Sequence, residues 1–116
     1  MNRLIRGAIN NKGGEFMKVR FHSVNFTADI KLLNFVQTKL NKLDVFCDRI
    51  VDADAYFKVE PMSDKGNKLV EIKLRVPGKE LMVKKHSQSF EGAINQAREA
   101  LKKSLMKYKG KLKTID

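Results

Sequence analysis

Between positions 51 and 59 apolar and polar side chains alternate without a break: Val51, Ala53, Ala55, Phe57 and Val59 against Asp52, Asp54, Tyr56 and Lys58. A period of two puts one set on each side of an extended chain, so this segment is a strand with one buried face. Such a strand needs neighbours, and the chain supplies them. Met17, Val19 and Phe21 alternate with Lys18, Arg20 and His22 ahead of it. Val70, Ile72, Leu74 and Val76 alternate with Glu71, Lys73 and Arg75 after it, and Leu81, Met82 and Val83 lead a fourth strand ending near Lys85. Pro61 ends the 51–59 strand and residues 63–67 have turn chemistry. Pro77-Gly78 makes a tight turn, with proline setting φ and glycine accepting a positive value. Strands two to four are therefore an antiparallel meander.

Two segments switch to a helical period. Ile30, Leu33, Val36 (or Phe35), Leu40 and Leu43 recur at that spacing through about Phe46, with Thr27 as N-cap and Asp29 in the first turn, where the helix dipole favours it. Asp48 and Arg49 close this helix. Phe90, Ala93, Ile94, Ala97, Leu101, Leu105 and Tyr108 form the buried stripe of a last helix capped by Ser89. Each helix has one apolar stripe and the four-stranded sheet one apolar face. The expected fold is α+β, in the order β-α-β-β-β-α, with both helices on one face of the sheet.

A chain of 116 residues is one domain's worth of sequence. Residues 17–113 are read as that domain and 114–116 as a short tail. Residues 1–16 lack either periodicity, and Met17 stands at the first residue of the first strand. Lys12-Gly13-Gly14 admits purine-rich codons resembling a ribosome-binding sequence just ahead of Met17. Residues 1–16 are thus expected to be a leader or a mis-assigned start, the alternative being an untethered tail. Intact mass of the natively expressed protein separates the two, and a chain beginning at Met17 is the expected result.

Function is approached first by exclusion. No run nears the roughly 18 apolar residues of a membrane span or the roughly 7–15 of a secretory signal, so a cytoplasmic protein is expected. Cys47 is alone, which rules out an intramolecular disulfide or a cysteine-based zinc cluster, and with only His22 and His86 beside it no metal or cofactor is expected. There is no phosphate-binding glycine loop: Gly13-Gly14 precede a strand, not a helix. His22 and His86 read as solvated surface groups, and Asp52 and Asp54 as outward-facing, solubilising carboxylates. No catalytic set emerges, and the chain is expected not to be an enzyme.

Charge remains. Twenty-four Lys and Arg against 13 Asp and Glu give +11, a balance that attracts polyanions. From position 98 onward Arg98, Lys102, Lys103, Lys107, Lys109, Lys111 and Lys113 face only Glu99 and Asp116. The glutamates that would pair them at i,i+4 are mostly missing. Lys39 and Lys42 extend the basic surface if the helices lie side by side, and Lys84 and Lys85 lead into the last helix. Tyr56 is the one outward strand aromatic, so RNA would be read through shape and backbone rather than bases.

Several segments in order resemble the ribosome hibernation-promoting factor / ribosome-associated inhibitor (sigma-54 modulation) family. The run from Phe35-Val36-Gln37-Thr38-Lys39-Leu40 to Asn41-Lys42-Leu43-Asp44, then Phe46-Cys47-Asp48-Arg49-Ile50, resembles its first helix and exit. Lys58-Val59-Glu60 resembles the end of its second strand, and Ser89-Phe90-Glu91-Gly92-Ala93-Ile94-Asn95 the start of its last helix. Leu101, Lys103, Leu105, Lys107, Lys109 and Lys111-Leu112-Lys113 match its basic tail. The resemblance covers 17–113, and its strength lies in the ordered set rather than in any single motif. Asn95, Glu91 and Ala100 depart from residues common in the family.

The resemblance implies a fold like a double-stranded RNA-binding domain and a monomer when free. Its partner would be the small ribosomal subunit and its rRNA near the decoding centre, where occupancy blocks mRNA and tRNA and represses translation in stationary phase or stress. No DNA, membrane or small-molecule substrate is implied. Lys39, Lys42, Lys103, Lys107, Lys109 and Lys111 are the rRNA contacts it points to; Arg98, Lys102, Lys84 and Lys85 are added from charge pattern. The short form is expected, without the C-terminal dimerisation domain of longer members. A general structured-RNA binder, a charge-driven protein-interaction module and, more distantly, a small acyl- or phosphate-processing enzyme remain as alternatives.

Overall fold

The computed structural model describes residues 2–3, 17–24, 26–47, 49–61 and 66–114, with side chains for those between 17 and 110. The elements run β1 (Asn2–Arg3), β2 (Val19–Val24), α1 (Ile30–Asn41), a 3-10 turn (Lys42–Val45), β3 (Asp52–Val59), β4 (Lys68–Val76), β5 (Lys79–Ser87) and α2 (Phe90–Thr114). They form one sheet in the order β1-β2-β3-β4-β5. β2 and β3 are parallel, which requires the α1 crossover between them; β3, β4 and β5 are the antiparallel meander that the alternation predicts. Asn2–Arg3 adds a two-residue antiparallel pairing against Phe21 and His22. The rest of 1–16, where the sequence places a leader, lies outside the described residues, as do Asp48, most of the 63–67 turn and all but Thr114 of the tail.

One face of the sheet is dry. Val19, Phe21, Ala53, Ala55, Phe57, Val70, Ile72 and Leu74 are 1% exposed or less. Leu33, Val36 and Leu40 of α1, Leu43 of the 3-10 turn and Ala93, Ile94, Ala97, Leu101 and Leu105 of α2 complete the same core, so both helices cover this face. Every α2 position assigned to the buried stripe is buried. Phe57 stacks with Phe21 at 6.3 Å and meets Phe90 edge-on at 5.8 Å, while Phe26 stacks on Phe90 at 4.9 Å. This aromatic knot fixes the start of α2 to the sheet. Farther along, the Tyr108 hydroxyl donates to the Pro77 carbonyl at 2.9 Å and ties the helix to the β4–β5 turn.

The element ends depart from the sequence expectation, each for a local reason. Asp29, not Thr27, caps α1: its carboxylate accepts the Leu32 N–H at 2.9 Å, and helical geometry begins at Ile30. Ile30 is then in the first turn with its side chain in water, 52% exposed, rather than on the apolar stripe. The helix tightens at Lys42 into a 3-10 turn that still buries Leu43. Val51 precedes β3 and is exposed, since the strand begins at Asp52. β5 runs on to Ser87 because its pairing with β4 continues to Lys68. Ser89 caps α2 as expected, its hydroxyl accepting the Gly92 N–H at 3.0 Å.

Gly66 and Gly78 have positive φ, 109° and 78°. A Cβ on Gly66 would fall inside the backbone of Ser87, whereas a Cβ on Gly78 meets nothing within 4 Å. Gly66→Ala therefore combines left-handed strain with a clash against an immovable strand end. It is expected to destabilise by about 3 kcal/mol or more in urea unfolding, against about 1 kcal/mol for Gly78→Ala.

Candidate nucleic-acid interface

The sheet face turned away from the helices carries alternating charges from three adjacent strands. β3 register sets Asp54 between Arg20 of β2 and Lys73 of β4, and Asp52 opposite Arg75. Arg20 donates to Asp54 through Nε at 2.9 Å and through Nη2 at 3.1 Å, and to Asp52 at 3.0 Å. Arg75 donates to Asp52 at 2.5 Å, to Asp54 at 2.6 Å and to Glu80 at 3.3 Å. His22 Nε2 lies 3.1 Å from Asp54 Oδ1, and its ring stacks on Tyr56 at 4.4 Å.

These carboxylates are therefore not free solubilising groups: Asp54 is 7% exposed. Burial is the largest single influence on its carboxyl and raises it, but the hydrogen bonds from Arg20, Arg75 and His22 together outweigh burial. They hold Asp54 well below the usual carboxylate range. Asp52 is lowered in the same way, burial again opposed by Arg75 and Arg20. Two carboxylates kept ionised by two arginines have no proton to give, and their lone pairs are engaged. The histidines are likewise engaged, His86 bonding Glu60 at 2.9 Å. The Lys73 ammonium lies 5.4 Å over the Tyr56 ring, so the outward aromatic is already partnered. Among the described residues no cluster of His, Cys, Asp or Glu is placed to hold a metal, and no helix is long and apolar enough to cross a membrane.

The helical side differs. In α2, Lys103 and Lys107 are four residues apart, share one stripe and are both exposed. Lys111 continues their spacing, its side chain lying outside the described residues. Arg98 and Lys102, half-buried, form a second stripe on the flank toward α1. Arg98 pairs with Glu99 at 2.8 Å, and the Lys102 ammonium lies 4.9 Å over the Phe46 ring. Lys109, exposed, borders the same flank beside Val45 and Phe46. α1 packs against α2 on the same face of the sheet, so Lys39 and Lys42 belong to the helical side; Lys39 sits 5.3 Å over Phe35.

β5 divides the remaining pair. Lys85 is opposite Val70 and turns toward the helices, half-buried; Lys84 is opposite Glu71 and opens on the other face. The structure thus gathers Lys39, Lys42, Arg98, Lys102, Lys103, Lys107 and Lys109 on one side, with Lys85 at its margin, and separates Lys84 from them. Alternation along β5 is the reason.

Sequence reasoning missed an apolar notch on that same side. Val45, Phe46, Met106, Lys109 and Gly110 line an open cleft of about 290 Å³ where the 3-10 turn ends beside α2. Val45 is 80% exposed and Met106 56%. Both are large apolar residues off the predicted stripes, and that was the available signal.

A model of the family described as sigma 54 modulation protein / S30EA ribosomal protein matches residues 19–113. A ribosome hibernation promotion factor of Deinococcus radiodurans is 32% identical over 76 residues; this aligned stretch is 65% of the chain, which spans 40% of that relative's length. Among solved structures, a ribosomal subunit interface protein from Coxiella burnetii superposes with a TM-score of 0.71 at 17% identity, covering 79% of this chain and 97% of the other. The N-terminal domain of Thermus thermophilus Protein Y gives 0.63 at 19% identity, covering 81% and 99%. At these identities the two structures establish the fold.

The ion network sets a pH dependence. Carboxyls lowered on folding contribute stability that is complete above their unfolded value of about 4 and is lost as pH falls toward the folded one. Stability of the wild type is expected to decline as pH drops below about 4, and Asp54→Ala is expected to flatten that decline. At neutral pH the same substitution should cost about 2–3 kcal/mol, less than a fully buried pair because both guanidiniums keep some water. Urea titrations of both proteins across pH 2–7 check the sign and the size.

Proposed function

Because the chain belongs to the sigma 54 modulation protein / S30EA ribosomal protein family, we propose that it acts on the ribosome as a hibernation factor. In this reading it binds the small subunit near the decoding centre, excludes mRNA and tRNA, and represses translation in stationary phase or stress. The setting is the cytoplasm, and the part played is that of a binding protein rather than an enzyme.

The observation that carries the proposal is the division of charge between the two faces. On the outer sheet face, arginines are matched against Asp52, Asp54 and Glu80. On the helical side Lys103 and Lys107 stand exposed with Glu99 as the acid nearest in sequence, itself held by Arg98. Uncompensated cations at helical spacing on a rigid rod suit a phosphate backbone, because each pairing releases condensed counterions without requiring a base sequence. Lys39, Lys42, Lys102, Lys109 and Lys111 would extend the contact. Lys84, on the other face, would not take part.

Co-sedimentation of the full chain with small ribosomal subunits, with and without mRNA and initiator tRNA, tests the reading. Binding to empty subunits that falls when the channel is filled supports it; binding indifferent to mRNA and tRNA, or none, overturns it. Replacing Lys103, Lys107 and Lys109 together by alanine should weaken association and reduce its salt dependence by roughly one unit of slope for each phosphate no longer neutralised. Lys84→Ala should leave both unchanged.

A further inference from the structure

The notch beside the end of α1 has features that backbone binding does not use. Val45 and Met106 keep most of their apolar surface in water around a half-buried Phe46. Gly110 lies inside α2, where glycine weakens a helix relative to alanine. Its φ is not in the left-handed region, and a Cβ there meets no atom within 4 Å. The fold therefore does not require glycine at this position, although glycine does let another molecule approach the helix backbone closely. Among the described residues, the ammonium group of Lys109 is in the lining of the notch and that of Lys102 lies over the Phe46 ring.

We propose that this notch receives one unpaired nucleotide of RNA, with the base against Val45, Phe46 and Met106 and the flanking phosphates on Lys102 and Lys109. The assignment rests on the RNA-binding reading above and adds to it a contact with a base. Apolar walls alone would suit an apolar side chain, and cations alone a paired backbone; walls and cations together match a base with its phosphates. The volume, about 290 Å³, falls just below the range of roughly 300–1,000 Å³ typical of small-molecule pockets. It is open to solvent and short, so it fits one flat group better than an acidic helix, which would need anchors over successive turns. The neighbouring stripe of Lys103 and Lys107 would take phosphates farther along the same strand.

The test uses the full chain and two RNA hairpins of equal length, one fully paired and one carrying a single bulged 2-aminopurine. Wild type should bind the bulged hairpin roughly 10-fold more tightly, the scale of one stacked base, and should change the 2-aminopurine fluorescence. Gly110→Leu fills the notch and Val45→Asp places a negative charge at its mouth. Each should abolish the preference while leaving affinity for the paired hairpin within about twofold for Gly110→Leu, where no charge changes. Thermal unfolding of Gly110→Leu at or above the wild-type temperature would show that the effect is not misfolding.

Equal affinity for both hairpins, failure to bind either, or a preference that survives both substitutions overturns the proposal. So does a Gly110→Leu protein that loses small-subunit association without losing hairpin preference, since that result gives the notch to a protein surface. In each case intact subunit binding by wild type would leave the ribosomal reading standing, so the two failures are distinguishable.

Discussion

Asp54 lies on the strand shared by the two halves of the sheet. On one side β3 is parallel to β2 through a helical crossover; on the other it is antiparallel to β4 through a turn closed by the Glu60 N–H and Asn67 carbonyl at 2.8 Å. Arg20 reaches Asp54 from the first half and Arg75 from the second, and both also hold Asp52. The carboxylate pair thus ties across the join where local connectivity is weakest. A parallel pairing is non-local, and its closure must be compensated by contacts made at that seam. The dry side of the same seam is made by Ala53 and Ala55, both buried in the core that the helices cover, with Phe57 filling the end where Phe90 arrives.

That arrangement also partitions charge. Asp52, Asp54 and Glu80 lie on the sheet's open face, where they neutralise arginines and support the seam. The helices are left with lysines that have few partners. The ion pairs that support the fold and the exposed lysines of α2 consequently lie on different sides of a thin molecule, and substitutions on one side need not disturb the other.

Strand and helix identity, order and core were legible because each depends on a short-range period. The stripe from Phe90 to Tyr108 and the alternation at 53–57 transferred directly to the structure. What failed to transfer was information that periodicity does not hold. Asp29 and Thr27 are both acceptable caps, and periodicity alone does not choose between them. The partners of Asp52 and Asp54 come from strands separated from them in sequence, so a pattern of outward acids looked like solvation. The basic candidates on α2 stand out by charge and lie on the helical side, whereas Lys84, close to Lys85 in sequence, is separated from it by the pleat. The notch was missed for a related reason: it exists where one element stops beside another that continues.

The difference in helix length has a mechanical side. α1 has 12 residues and α2 has 25, so at about 1.5 Å per residue the second rod outruns the first by roughly 20 Å, less the 3-10 turn. Its terminal portion is held to the body mainly from one side, by Leu105 and the Tyr108 tether. Lysines at 103, 107 and 111 repeat at the interval where like charges repel within a helix. Like charges at that interval repel one another along the helix, and mobile ions relieve the repulsion in part. Helicity of that end becomes a variable coupled to ionic strength.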